Sequence, residues 1–329
     1  MKFSIIIPFK TWNLYVEESV NHCLEQTEKD FEIILLPDVE IDKKFPKTKI
    51  FPTGPIKPSL KRNLGVEKSK GEILAFIDDD AYPDKDWLKN SIKYLQDESV
   101  GAVGGPNLTP PKDSILQKAS GDILASPLTG RSSIRYKIGK NPEQVLELPS
   151  CNLLVKKEIF LQTNKFDPEL LTAEDSELCF EINNLKKKVL YVPDVIVYHH
   201  RRKLFKPHLK QMYVYGRDIA WLIKNKFSID KLYYSILSLF VIYLVIGLIL
   251  SFFNSYIKLF YIYSLSTYLI ITAIASFKQN KTHSLLIFSG LVLTHIVYGV
   301  GFLYGLLSRK EKSLTQLDMR NRHLLKNEN

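Results

Sequence analysis

Cysteine is scarce in this chain: three in 329 residues, at positions 23, 151 and 179, with no CxxC pair. Residues so widely spaced offer neither a disulfide framework nor a structural zinc site, and they suit a reducing compartment. No GxGxxG follows the first apolar run and no GxxxxGK[ST] occurs anywhere, which disfavours dinucleotide enzymes and P-loop ATPases. No secretory leader is expected either. After Lys2 only Phe3–Ile7 precede Pro8, too short an apolar core for a signal peptide, so residues 1–198 are expected to stay in the cytoplasm. Aromatics at 12% and charged residues at 24% exclude disordered and collagen-like chains. The length suggests about two structural units.

Acid is what the C-terminal third lacks. Residues 232–307 contain three Lys and no Asp or Glu, whereas 1–198 carry 27 basic against 30 acidic residues. Residues 199–231 carry nine against two, and 308–329 six against three. The formal net charge of +10 therefore borders an apolar region instead of coating a fold. Such a collar meets anionic head groups at a lipid bilayer, and no nucleic-acid partner is expected.

Three apolar stretches, 232–253, 259–277 and 285–307, each approach the ~20 residues that cross a ~30 Å hydrocarbon core. The first is uncharged, and tyrosines stand near several ends (Tyr233, Tyr234, Tyr256, Tyr304), as interfacial aromatics do. The expectation is a C-terminal bundle of about three transmembrane helices in a cytoplasmic (inner) membrane. The basic 199–231 segment places the N-terminal domain inside by the positive-inside rule. Three spans would then put the basic tail, 308–329, outside, against that rule; either the tail is tolerated there or one segment is re-entrant. Between 207 and 226, Leu209, Met212, Tyr213, Gly216, Ile219, Ala220 and Ile223 follow helical spacing. This segment reads as an interfacial helix on the membrane or as a helix packed on the soluble domain.

The N-terminal domain alternates. Phe3–Pro8 (FSIIIP), Phe31–Leu36 (FEIILL) and Glu72–Ile77 (EILAFI) read as buried strands, with a short one near Ile50. Helices are expected at 14–27 and at Ser59–Lys68, with Ser59 as a cap. The fold class is therefore α/β, a mostly parallel sheet flanked by helices. Ligands of such sheets bind beyond the carboxyl ends of the strands, where Asp38 and the run Asp78, Asp79, Asp80 stand. Three adjacent carboxylates raise one another's pKa. A divalent ion, Mg2+ or Mn2+, held by one or two of them plus ligand phosphates is the natural counterweight; an acidic solvated turn is the plain alternative.

Several segments in order carry a resemblance: SIIIPF, EIILLPD, LKRNLGVEKSKGEILAFIDDDAYPDKDWL, VGAVGGPNLTPP, ELPSCNLLVKKEIF, FDPELLTAEDSELCFEI, VPDVIVYHHRRKLFKPHLKQMYVYG and THIVYGVGFLYGLL. Together they resemble family 2 glycosyltransferases, more narrowly the membrane-anchored bacterial and archaeal branch that includes the succinoglycan-type transferases. The resemblance implies a GT-A fold and an inverting displacement with a nucleotide-diphosphate sugar donor, a uridine nucleotide favoured. It also implies a divalent metal and a lipid-linked or nascent surface-glycan acceptor. By the same resemblance Pro8 and Phe9 border the base pocket, Asp38 contacts the nucleobase, and Lys61, Arg62 and Asn63 lie near the nucleotide. Asp78 and Asp79 belong to the donor site, Asp80 is the direct metal ligand, and His199 or His200 completes the metal site. Asp175 matches the general base.

The neighbouring residues keep two readings each. Glu174 and Asp175 equally suit a helix start, where carboxylates are favoured. Arg201 and Arg202 suit a phosphate, of donor or lipid, or serve only to orient the chain. Asn152 and Gly104–Gly105 shape the acceptor side or an ordinary turn. QTNKF at 162–166 departs from the family's GGF, Thr172–Ala173 from its Pro-Gly, and Gln211–Tyr215 only echo its QxxRW. The expected organisation is a catalytic domain over 1–203, a basic amphipathic helix over 204–231, spans within 232–307 and the tail. A catalytically degenerate scaffold, an export component and a sugar nucleotidyltransferase are the alternatives.

Overall fold

The computed structural model describes residues 2–308 apart from residue 171 and residues 226–228. Of the basic tail expected at 308–329, all but Ser308 lies outside the described residues. Strands β1 (Phe3–Pro8) and β2 (Phe31–Leu36) are buried at all six positions, as near-continuous apolar runs must be when helices cover both faces. They pair in parallel, Phe3 opposite Phe31, and β1 pairs in parallel with β4 (Ile73–Phe76) on its other side. Between them lie α1 (Leu14–Leu24), β3 (Thr48–Ile50) and α2 (Pro58–Lys68). The first helix is capped by Asn13, whose carboxamide oxygen accepts from Tyr15 N–H and Val16 N–H. The second begins with Pro58, one residue before the expected Ser59, because proline's missing N–H costs nothing in a first turn.

The chain continues through β5 (Ala81–Pro83), α3 (Trp87–Leu95), β6 (Val100–Gly104), β7 (Asn107–Leu108) and α4 (Ile115–Leu124). Next come β8 (Glu143–Gln144), β9 (Leu153–Lys156), α5 (Lys157–Phe160), α6 (Glu174–Asn184), β10 (Lys188–Tyr191) and β11 (Val197–His199). The main sheet has the order β3-β2-β1-β4-β9-β6-β10-β8, and a small sheet the order β5-β11-β7. Only β8 and β9 run antiparallel in the main sheet. The strand period of two divides the core. Ile5 and Ile7 face one way with Val16, Val20 and Trp87; Ile6 faces the other with Val66, Leu178 and Ile182. Gly104 and Gly105 serve packing: a Cβ on Gly104 would stand 2.1 Å from Asn152 O, and one on Gly105 2.3 Å from Val192 O.

Four helices complete the molecule: α7 (Lys206–Asn225), α8 (Ile236–Ser251), α9 (Ser255–Gln279) and α10 (Ser284–Leu307). The first apolar helix starts at Ile236 and not 232, after a 3-10 turn over Ile229–Ser235. Three segments are long and apolar enough to cross a membrane: Lys231–Ser251, Ser255–Gln279 and Ser284–Leu307. They differ in surroundings. In the most apolar window of each, 11% of the first two is buried but 44% of the third, because α7 and α4 pack on α10.

Candidate active site

The carboxyl ends of β1 and β4, the start of α6 and the β11–α7 connection surround a cleft of about 650 Å³. Pro8, Arg62, Asp78, Asp79, Asp80, Glu174, Asp175, His199, His200, Arg201 and Arg202 all line it. One buried guanidinium ties three elements: Arg62 donates from Nη2 to Asp78 Oδ1 at 2.6 Å and from Nη1 to Glu174 Oε1 at 3.0 Å. Burial works against its charge, but Asp78 and then Glu174 raise its pKa above the ordinary value. Arg62 Nε and Glu174 Oε2 are buried and find no hydrogen-bond partner among the described residues.

The three aspartates occupy different electrostatic settings. Burial, then Asp80 and Asp78, push Asp79 up to about 7. Burial also opposes ionisation of Asp80, yet His199 and Arg202 hold its pKa down at about 2. His199 Nε2 lies 3.0 Å from Asp80 Oδ1, and Arg202 Nη2 3.7 Å from Asp80 Oδ2. Burial disfavours the imidazolium too, but Cys151 and Asp80 keep His199 well above its ordinary pKa. One ligand atom each of Asp78, Asp80 and His199 lies within 4.8 Å of the others. Two carboxylate oxygens and one imidazole nitrogen fit a hard divalent cation that leaves positions for phosphate and water. The cation's charge would replace the proton that His199 holds against Asp80.

Asp175 sits in the first turn of α6. Its Oδ1 accepts from Ser176 N–H at 2.8 Å and its Oδ2 from Ser150 N–H at 3.1 Å, so the carboxylate is fixed by backbone on both sides. Burial raises its pKa, Arg135 opposes that, and Glu147 adds to it. Glu174 is raised as well, by burial and then by Asp175. A helix start and a carboxylate facing a cleft are both realised here.

Other expected site residues stand behind the cleft or brace it. Lys61 Nζ reaches Asp38 Oδ1, Phe9 O and Leu36 O, which links the ends of β1, β2 and α2; none of Phe9, Asp38 and Lys61 lines the cleft. Asn63 clasps the backbone of Phe166, with bonds of 2.9 and 3.1 Å. Asn152 is fully buried, donating to Pro106 O and Val195 O and accepting from Trp87 Nε1. The two histidines diverge: His199 faces Asp80, while His200 contacts Asp113 at 2.5 Å and Glu18 at 2.8 Å. So do the two arginines. Arg201 is buried against Asn107 and Thr109, but Arg202 keeps 61% of its side chain exposed.

Sequence reasoning missed Arg135, which lies behind Asp175 and pairs with Glu147 at 3.1 Å. It also missed Glu18 and Asp113. Arg135 and Asp113 sit in stretches without apolar period, and Glu18 is one of several polar residues on α1, so nothing in their spacing marked them. Next to Asp175 lies a second cavity of about 220 Å³, sharing Tyr136, Thr172 and Tyr215 with the cleft and reaching Tyr234, Leu237 and Tyr298 at the apolar helices.

The mainly parallel sheet with flanking helices is like that of GT-A glycosyltransferases. The family model of glycosyl transferase family 2 matches residues 4–160. Among curated relatives the chain is similar to a dolichyl N-acetyl-alpha-D-glucosaminyl phosphate 3-beta-D-2,3-diacetamido-2,3-dideoxy-beta-D-glucuronosyltransferase of Methanococcus voltae. That pair is 25% identical over 72% of this chain and 77% of the archaeal protein. It is also similar to the poly(ribitol-phosphate) beta-N-acetylglucosaminyltransferase TarS of Staphylococcus aureus, 26% identical over 66% of this chain but only 38% of TarS. Its fold matches that of the mannosyltransferase PcManGT from Pyrobaculum calidifontis, solved with GDP-Man and Mn2+. That match has a TM-score of 0.57 at 16% identity, over 94% of this chain and 88% of the other.

Proposed function

We propose that this glycosyltransferase moves a sugar from a nucleotide-diphosphate donor, with inversion, onto a lipid-linked acceptor at the cytoplasmic face of a membrane. The observation that carries this reading is the meeting, in one cleft, of the Asp78–Asp80–His199 cluster and the backbone-fixed Asp175. Asp78, Asp80 and His199 would hold a divalent cation, which would supply charge stabilisation to a leaving diphosphate. Arg202, exposed beside Asp80, adds a mobile guanidinium for the same phosphates. Arg62 keeps Asp78 and Glu174 in register. Asp175 accepts the proton of the attacking hydroxyl. Because it acts as a base and not a nucleophile, a single displacement inverts the anomeric centre.

The acceptor side is read from the second cavity. Its walls are largely aromatic and aliphatic, and it joins Asp175 to the apolar helices, a route suited to a sugar carried on a lipid. The dolichyl-linked acceptor in the name of the archaeal relative agrees with that class. The test is a mass-spectrometric screen of nucleotide sugars, with Mn2+ and a membrane lipid extract, against the purified full chain. The expected product is a lipid heavier by one glycosyl unit, formed by the wild type and not by Asp175→Asn. Transfer confined to lipid-free glycans would overturn the acceptor assignment, and nucleotide-sugar synthesis from a sugar phosphate would overturn the reaction.

A further inference from the structure

The three apolar helices do not all have room to cross a bilayer. Helix α10 runs parallel to α7 and is locked to it along its length. A Cβ on Gly216 would meet Tyr298 O at 2.3 Å; on Gly301, Tyr213 O at 2.2 Å; on Gly305, Arg217 O at 2.4 Å. His208 of α7 bonds Thr294 at 2.9 Å, and at the far end Lys224 donates to Leu306 O at 2.9 Å and Ser308 O at 3.0 Å. Such backbone-to-backbone approach, set by small residues, leaves no freedom for the two helices to part.

The catalytic domain in turn holds α7 from end to end. Pro207, Lys210, Gln211 and Tyr215 line the cleft, Asp218 accepts from Thr172 Oγ1 at 2.8 Å, and Ile219 and Ile223 pack with Leu170 and Ala173. Helix α10 touches the domain directly too: Gly290 lies against Ile123, His295 Nε2 lies 3.1 Å from Leu128 O, and Asn280, just before the helix, bonds Asp122 at 3.2 Å. If α10 spanned a ~30 Å core, the cleft at its side would sink into hydrocarbon. Its carboxylates and arginines would each cost at least about 2.5–3.5 kcal/mol there.

Leu237 of α8 and Tyr268 of α9 also meet α10, at Gly299 and His295, but the remainder of the α8–α9 pair has the opposite character. Both helices are apolar around most of their surface, and the connection between them ends in Phe252 and Phe253, 80% and 82% exposed. Lys231, Lys278 and Lys281 lie at the domain end of the pair and Lys258 alone near its tip, the bias expected when the domain side is the cytoplasmic one. On α10 five of the six exposed large apolar side chains, Leu285, Leu293, Val300, Tyr304 and Leu307, fall within one ~100° face, and Leu306 in the last turn lies outside it. Ile287, Leu291, Thr294 and Phe302 are buried on the other. That is the pattern of a helix lying in a membrane interface.

We infer that the chain crosses the bilayer twice, out along α8 and back along α9, and that α10 lies flat between the catalytic domain and the lipid. The C-terminal segment beyond Ser308 then stays on the side of the catalytic domain, where six basic against three acidic residues in 308–329 obey the positive-inside rule. The topology holds whatever sugar is moved.

Single-cysteine labelling tests it on the full chain in sealed vesicles of known orientation, using a membrane-impermeant maleimide. Cys23, Cys151 and Cys179 are all buried, so background is low. Phe253→Cys reports the hairpin tip, Asn329→Cys the chain end, and Glu158→Cys, at an exposed position, the catalytic domain. The expected result is that Glu158→Cys and Asn329→Cys label from the same face and Phe253→Cys from the opposite one. Labelling of Asn329→Cys from the face opposite Glu158→Cys would establish an odd number of crossings and overturn the inference. Labelling of all three from one face would overturn it as well, by showing that the hairpin does not cross. An alkaline phosphatase fusion after residue 329 probes α10 without the tip variant. It should be inactive, as expected for a cytoplasmic end, and an active fusion would overturn the inference.

Discussion

In the proposed reaction Asp175 and Asp80 divide the chemistry at the residue scale. Asp175→Asn keeps size and the ability to accept the Ser150 N–H bond through its remaining oxygen but removes basicity. Donor affinity, measured by calorimetry with the nucleotide diphosphate and Mn2+, should stay within a few-fold of wild type. Transfer should fall by roughly 10²–10⁴, the usual worth of a general base, a loss of transition-state stabilisation alone. Near-normal transfer would demote Asp175 to a helix-start carboxylate and put Glu174 first in line. Asp80→Ala removes a member of the metal cluster and the partner of His199. Mn2+ binding followed by electron paramagnetic resonance, without donor, should weaken by more than tenfold, and turnover should stop. Full wild-type activity in excess EDTA would exclude the metal role. These residues were legible because contiguous aspartates after an apolar strand stand out in any chain. Arg135 and Glu147 were not, since only the folding of 127–147 behind α6 brings them to Asp175.

At the scale of elements, the α7–α10 seam carries two predictions. Gly301→Ala puts a methyl where Tyr213 O stands 2.2 Å away, and overpacking of this kind costs about 1–3 kcal/mol. The melting temperature in detergent should drop, whereas Gly54→Ala, with nothing within 4 Å of the new Cβ, strains only a left-handed turn (φ +72°). A melting temperature unchanged by Gly301→Ala would deny the tight seam. His208 is the second probe: fully buried between Ser120 Oγ at 2.7 Å and Thr294 Oγ1 at 2.9 Å, it has its pKa lowered by burial to about 4. A folded-state pKa below the unfolded value means that the unfolded chain binds the proton first. Its contribution is intact above about pH 6.5 and is lost as pH falls toward 4, by up to about 1.4 kcal/mol per pH unit. Denaturant midpoints between pH 7 and 4.5 should show a slope that His208→Gln flattens. The interfacial and the domain-packed readings of 207–226 were both open in the sequence, and the contacts with Leu170, Ala173 and α10 show a helix packed on protein.

For the whole molecule, the expected consequence of an apolar α8–α9 pair is retention in membranes through alkaline carbonate washing. Val245, 55% exposed midway along α8, is the sensitive point. Val245→Arg should shift the protein toward the soluble fraction, since an arginine at mid-bilayer costs about 2.5–3.5 kcal/mol. Unchanged carbonate-resistant recovery of that variant would place α8 outside the hydrocarbon.

The sequence by itself determined the buried strands β1, β2 and β4, the placement of three aspartates at a strand end, and the resemblance to family 2 glycosyltransferases. Each rests on local pattern: an apolar run, a charge cluster beside it, motifs in order. Hydropathy also found three apolar helices, since it reads composition. What it cannot read is what surrounds a helix. Whether Phe302 faces lipid or protein depends on Gly216, Gly301 and Gly305, which let α7 and α10 come together, and Leu291 is covered by Ala119 and Ile123 of α4. The same holds at the cleft, where Arg62, Glu174 and Asp78, far apart in the chain, converge on one hydrogen-bonded triad. Long-range partners of that kind leave no periodic trace, because their spacing along the chain is set by the fold and not by a repeat of strand or helix.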